Sequence, residues 1–201
     1  MTTISKYRYS SGFSLMEVLI TMIIILIGLL GIVALQGKAQ LAELEAYQRA
    51  QAMIMLSDIT DSINANRSTA TCFNFTSNTT TGTPYIGFGS SYTSSCSAST
   101  SAYNTQTDNT IAALDGLLKG SAETLNGNNV GSMIGARACI SYDTSTELSG
   151  VSGTGQYTVI VTWQGMGDLV SPTGLLCAVG NYGAETKRRA VATKIRIADL
   201  Y

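Results

Sequence analysis

Between Phe13 and Leu35 the chain runs for 23 residues, FSLMEVLITMIIILIGLLGIVAL, with one charge, Glu17. As a helix rising about 1.5 Å per residue, this segment covers roughly 35 Å, enough to cross a hydrocarbon core of about 30 Å. Residues 1–12, MTTISKYRYSSG, are polar and carry Lys6 and Arg8. A cationic flank favours keeping that side cytoplasmic, so the rest of the chain is expected outside the membrane. A conventional secretory signal has a shorter apolar core with a small-residue cleavage site after it. Here Gly12 comes before the run, although Ala34, Gln36 and Gly37 could imitate such a site and keep that alternative open. A carboxylate inside a membrane segment costs several kcal/mol on insertion scales, so Glu17 is expected to be paired or functional. The competing reading lets it snorkel to the nearby interface. Gly28 and Gly31 interrupt the apolar helix at a cost of about 1 kcal/mol each relative to Ala. Close helix–helix approach, local melting on packing and simple tolerance in lipid all remain open for them.

Helical patterning continues beyond Leu35. Gly37 weakens it, but residues 38–65 contain no Pro and no other Gly. Ala52, Met55, Leu56, Ile59 and Ile63 fall on one stripe of a helix that is predicted to end near Asn64–Asn66. From Phe13 this gives about 53 residues, roughly 80 Å of helix. The first half is apolar all round. The second is amphipathic and needs a sheet to cover its stripe.

The 45% apolar content overstates the soluble core, because so much of it lies in the first helix. Cys72, Cys96, Cys139 and Cys177 all follow the apolar run, and an even count in an exported domain reads as a disulfide framework. Four cysteines allow three pairings. Nearest-neighbour loops are the simplest, which favours Cys72–Cys96 and Cys139–Cys177. No CxxC pair occurs, and this argues against zinc.

Residues 68–109 are rich in Ser, Thr, Asn and Gly and read as turns and irregular surface pinned by Cys72 and Cys96. Asn66, Asn74 and Asn78 begin glycosylation-like triplets, which we discount. Asp108 or Thr110 is expected to cap a short helix carrying Ile111, Leu114, Leu117 and Leu118. Strands are predicted at 137–142 (RACISY), 156–163 (QYTVIVTW) and 190–197 (AVATKIRI), with a further one at 175–179. Short polar connections favour antiparallel pairing. Trp163 is expected in the core, and Arg188 and Arg189 at a solvated strand start rather than an interface.

The segment GFSLMEVLI, Gly12 to Ile20, resembles the prepilin motif of type IV pilins and type II secretion pseudopilins. The resemblance implies that prepilin peptidase cuts between Gly12 and Phe13, that the Phe13 amine is N-methylated, and that Glu17 is the acid at position five of the mature chain. Glu17 would then pair with the Phe13 amine of an adjacent subunit and register one helix against the next. RACISY, YTVIVTWQG, LLCAVGNYG and KRRAVATKIRI resemble the PilV-type minor pilins in order and spacing, over most of the chain except the variable middle.

The implied fold is α+β, a pilin fold with a long N-terminal helix packed on a C-terminal antiparallel sheet. Its segments are a leader (1–12), a transmembrane and assembly helix (13–36), the amphipathic half of that helix (37–67), a variable αβ-loop region (68–135) and a disulfide-stapled sheet region (136–201). The implied partners are other minor pilins and the major pilin, a tip adhesin, prepilin peptidase, an inner-membrane assembly platform and the lipid bilayer. The implied location is a single-pass inner-membrane protein with a periplasmic head, later part of a pilus fibre or its tip, supporting adhesion and twitching motility. A minor pseudopilin of a type II secretion system would share the same first thirty residues.

Other function classes find little footing. A net charge of -1 offers no basic patch for nucleic acid. There is no His, the side chain that most readily titrates near neutrality, and no phosphate loop or nucleophile elbow, so neither an enzyme nor a cofactor is expected. The Tyr- and Ser-containing stretch 85–103 suits adaptable recognition but reads more simply as an exposed loop.

Overall fold

The computed structural model describes residues 12–131, 133–149, 151 and 153–198. Residues up to Glu43 and residues from Leu44 onward form two separate compact units. The first is helical from Leu15. It belongs to α1 (Leu15–Ala65), whose later turns belong to the second unit. Among the described residues, every side chain between Phe13 and Leu44 is exposed. The leader expected over residues 1–12 lies, apart from Gly12, outside the described residues.

The second unit is built around the amphipathic turns of α1. Gln48, Ala52, Met55, Ile59 and Ile63 recur every three or four residues and are its buried face. Leu56, at the edge of the stripe, is half-buried. They pack on an antiparallel sheet of order β1-β4-β5-β6: β1 (Ile86–Gly87), β4 (Arg137–Asp143), β5 (Gln156–Gln164) and β6 (Arg188–Arg196). A small separate hairpin pairs β2 (Thr124–Leu125) with β3 (Asn128–Asn129). Side chains alternate across a strand. Tyr157, Val159, Val161 and Trp163 of β5 therefore join Ala138 and Ile140 of β4 in the cluster that receives α1. The fold is α+β, a long N-terminal apolar helix whose later turns pack on a C-terminal antiparallel sheet.

The other face of the sheet is also covered. Cys139 and Ile160 contact Cys177, Ala178 and Tyr182 in a second apolar cluster, and the Tyr182 hydroxyl lies 2.8 Å from the buried Thr162 hydroxyl. The covering segment was expected to hold a strand at 175–179; it does not. Ala178 within it has positive φ, as do Gly174, Gly180 and Gly183 on either side, so the backbone turns repeatedly instead of extending. Its amides turn instead toward the 81–82 loop: Ala178 N donates to Gly82 O and Val179 N to Thr81 O. Gly82 is required for this approach, since a Cβ there would sit 2.2 Å from the Cys177 Cα.

The short helix expected near 108–118 is longer. α2 spans Ser101–Leu118 with Thr100 as its N-cap, so neither Asp108 nor Thr110 caps it. The Asp108 carboxylate instead accepts from Ser94 Oγ at 2.6 Å and Cys96 N at 2.9 Å, tying the preceding loop to the helix. Thr107 is buried against Thr69, with hydroxyls 2.6 Å apart. Ile111, Leu114 and Leu118 continue that face into the core, whereas Leu117 is exposed.

Candidate functional site

The segment singled out by the sequence starts where α1 starts. Ser14 O accepts from Glu17 N and Val18 N, closing the first turn, and Glu17 sits in that turn. Phe13 is 85% exposed just before it, and Gly12 is also exposed. Gly12, Phe13 and Glu17 are thus brought together at one helix end. A carboxylate there complements the partial positive charge of the unsatisfied amides.

From Leu15 to Leu35 the helix is long and apolar enough to cross a membrane, with none of its most apolar window buried. Phe13, Leu15, Met16 and a near-continuous series through Leu35 expose apolar surface far beyond what a soluble monomer tolerates. Such a surface is consistent with a helix that sits in a membrane. A Cβ added at Gly28, Gly31 or Gly37 would meet nothing within 4 Å. Among the described residues, no contact explains these glycines.

The four cysteines all belong to the second unit. Cys72 bonds Cys96 with Cα atoms 5.4 Å apart, and Cys139 bonds Cys177 at 5.7 Å. The first bond fixes the 3-10 turn after α1 to the loop before α2. The second joins β4 to the segment covering the outer face of the sheet. Asn66 is buried, its amide nitrogen donating to Ser62 O, and Asn74 Oδ1 accepts from Tyr142 N. Both amides therefore have structural partners.

Arg188 and Arg189 do not form the solvated strand start expected for them. Arg188 is 2% exposed, with Nε 2.6 Å from Glu185 and Nη1 2.6 Å from Leu175 O. Arg189 reaches Glu45 on α1 at 3.1 Å and donates to Gly167 O at 2.8 Å. Glu45 also accepts from the amides of Met166 and Gly167. These bonds, that from Gly167 foremost, hold its carboxyl below the usual glutamate range. The sequence gives no signal for this role of Glu45, because its partners lie 121–144 residues away and no local spacing marks them.

Arg137 was likewise invisible in advance. It is buried among Tyr85, Phe88 and Tyr182, whose ring centres lie 4.5–5.6 Å from its guanidinium. Among the described residues, no group of three or more His, Cys, Asp or Glu side chains could hold a metal ion.

Residues 7–33 match the family model described as the prokaryotic N-terminal methylation motif. That match supports a type IV pilin-like or pseudopilin-like protein. It suggests processing by prepilin peptidase and assembly with pilins in a membrane. It also suggests a structural rather than an enzymatic role. With the apolar N-terminal helix it is consistent with a single-pass inner-membrane protein. The match stops at Val33 and does not extend to the second unit. No curated protein and no solved structure matches the chain.

Proposed function

We propose that this protein is a minor pilin of the PilV type: cut between Gly12 and Phe13, N-methylated on Phe13, and moved from the inner membrane into a type IV pilus. The observation that carries the reading is the methylation motif set at the start of a helix whose apolar first half is exposed. Such a helix is stable in lipid and also in a bundle of like helices, so transfer between the two exchanges one apolar environment for another. Glu17 of one subunit pairs with the Phe13 amine of the next and sets axial register. The second unit faces the periplasm before assembly and the fibre surface or tip afterwards. There it joins other minor pilins, the major pilin and a tip adhesin above an inner-membrane assembly platform, and so supports adhesion and twitching motility.

Sheared surface fibres from cells expressing an epitope-tagged chain test this, with a strain lacking prepilin peptidase as control. The tag should appear in the fibre fraction and remain in the membrane without the peptidase. A tag confined to the membrane in both strains contradicts the proposal. The resemblance on which the reading rests is shared by minor pseudopilins of type II secretion. Loss of protein secretion with intact pili on deletion would favour that alternative.

A further inference from the structure

We propose that residues 166–170 form a membrane-surface docking loop, with Met166, Leu169 and Val170 resting in the headgroup layer of the bilayer that holds the chain's own apolar helix. The inference rests on the reading of residues 13–35 as a membrane span.

The loop is rigid where it need not be if it served only as a connection. Gly165 N donates to Lys187 O at 2.8 Å and Leu169 N to Thr186 O at 2.9 Å. Met166 N and Gly167 N donate to Glu45 Oε1 at 3.0 and 3.1 Å, and Asp168 Oδ1 accepts from Thr186 Oγ1 at 2.9 Å. With its backbone so fixed, the loop turns three apolar side chains outward. Met166 is 44% exposed, Leu169 55% and Val170 93%. Scattered exposed apolar residues need no explanation, but three within five residues of a pinned loop form a preorganised surface.

Chain connectivity selects the occupant. Glu45, the anchor of the loop, follows Leu35 by ten residues. Even fully extended, ten residues reach only about 35 Å. Chain length alone therefore tethers Glu45, to which the loop is bonded, within about that distance of Leu35. A tether this short supplies an effective concentration of about millimolar or more, so three side chains suffice for docking where a free domain would not bind. The one acid in the loop, Asp168, disfavours anionic headgroups. The contact is therefore apolar and insensitive to salt.

All four cysteines are in disulfides, so an introduced cysteine is a unique labelling site. The full chain, one copy per phosphatidylcholine nanodisc, would carry a nitroxide in turn at Val170→Cys, Leu148→Cys and Leu26→Cys. Leu148 is an exposed apolar residue of the β4–β5 connection, and Leu26 lies within the apolar run. The measurement is the ratio of accessibility to oxygen over a water-soluble nickel chelate. We expect the ratio at Val170 to be several-fold above that at Leu148 and below that at Leu26. A label at Met166→Cys should fall to the Leu148 value when Leu169 and Val170 are both changed to Ser. A water-like ratio at Val170, with Leu26 in lipid, overturns docking and leaves the span standing. A water-like ratio at Leu26 overturns the span and docking with it. Protection at Val170 only in discs holding several copies would assign the loop to a subunit contact and overturn the lipid assignment.

Discussion

Arg189 and Glu45 are 144 residues apart in the chain, yet Arg189 Nη2 lies 3.1 Å from Glu45 Oε1. One is the second residue of β6 and the other belongs to the first turns of α1 within the second unit. The same carboxylate oxygen accepts from Met166 N and Gly167 N, so helix, sheet and loop meet at one atom.

Glu45→Gln should destabilise the second unit by about 1–2 kcal/mol, the range for hydrogen bonds to a charged group discounted for partial exposure. The folded-state value of Glu45 is lowered, with the Gly167 amide as first cause. Its contribution is therefore present in full above the ordinary glutamate range and disappears as pH falls through the lowered value. Thermal melts of the full chain in detergent should show the wild-type advantage over Glu45→Gln at pH 7 and lose it progressively on acidification below the ordinary glutamate range. An advantage that persisted unchanged at the acid end would rule out the carboxylate as its source.

Gly165→Ala should act through the same contact. A Cβ at Gly165 would lie 2.5 Å from Arg189 Cζ, so the guanidinium must move off the glycine and away from Glu45. In a cycle with Arg189→Met, the double variant should be little worse than either single one, because both remove one interaction. Full additivity would show that the glycine matters for another reason.

Cys139 and Cys177 close a loop of sequence separation 38. In the chain-entropy model this contributes about 4 kcal/mol. Changing both to Ser should lower the midpoint of unfolding by about 8–16 °C, at 2–4 °C per kcal/mol for a domain of this size. It should also loosen the cover on the outer face of the sheet. Amide exchange at Ile160 should then accelerate more than at Ile59, which sits in the other cluster. Equal acceleration at both would mean that the two faces unfold together.

If Glu17 has the proposed registration role, Glu17→Ala should leave cleavage intact but lower incorporation into fibres. Quantifying the tagged chain in sheared fibres against that in membranes checks this. Wild-type incorporation would remove the registration role from Glu17.

Much of the fold was legible because it rests on local periodicity. Ala52, Met55, Ile59 and Ile63 repeat at helical spacing, and Tyr157, Val159, Val161 and Trp163 alternate, so each element announces its buried face. The misreadings share a physical cause. Residues 175–179 look like a strand, but Ala178 in a left-handed conformation and the packing against Gly82 are tertiary outcomes. The first turns of α2 have poor helix formers, and what holds Thr107 and Asp108 there are partners at Thr69, Ser94 and Cys96. Arg188 and Arg189 read as solvent-facing because a charge is assumed wet until a partner is found, and apart from Glu185 and Thr186 the partners come from other segments. At the N-terminal end the case is reversed. The Gly12–Phe13 junction and Glu17 stand out in the sequence, while the chain by itself gives Glu17 no side-chain partner to display among the described residues.

The measurement that bears most directly on the whole account is the mass of the N-terminal peptide of the protein isolated from its native membranes. The account predicts a chain that starts at Phe13 and carries one added methyl group on its amine. A chain that retains Met1, or one that starts near Leu35, would contradict it.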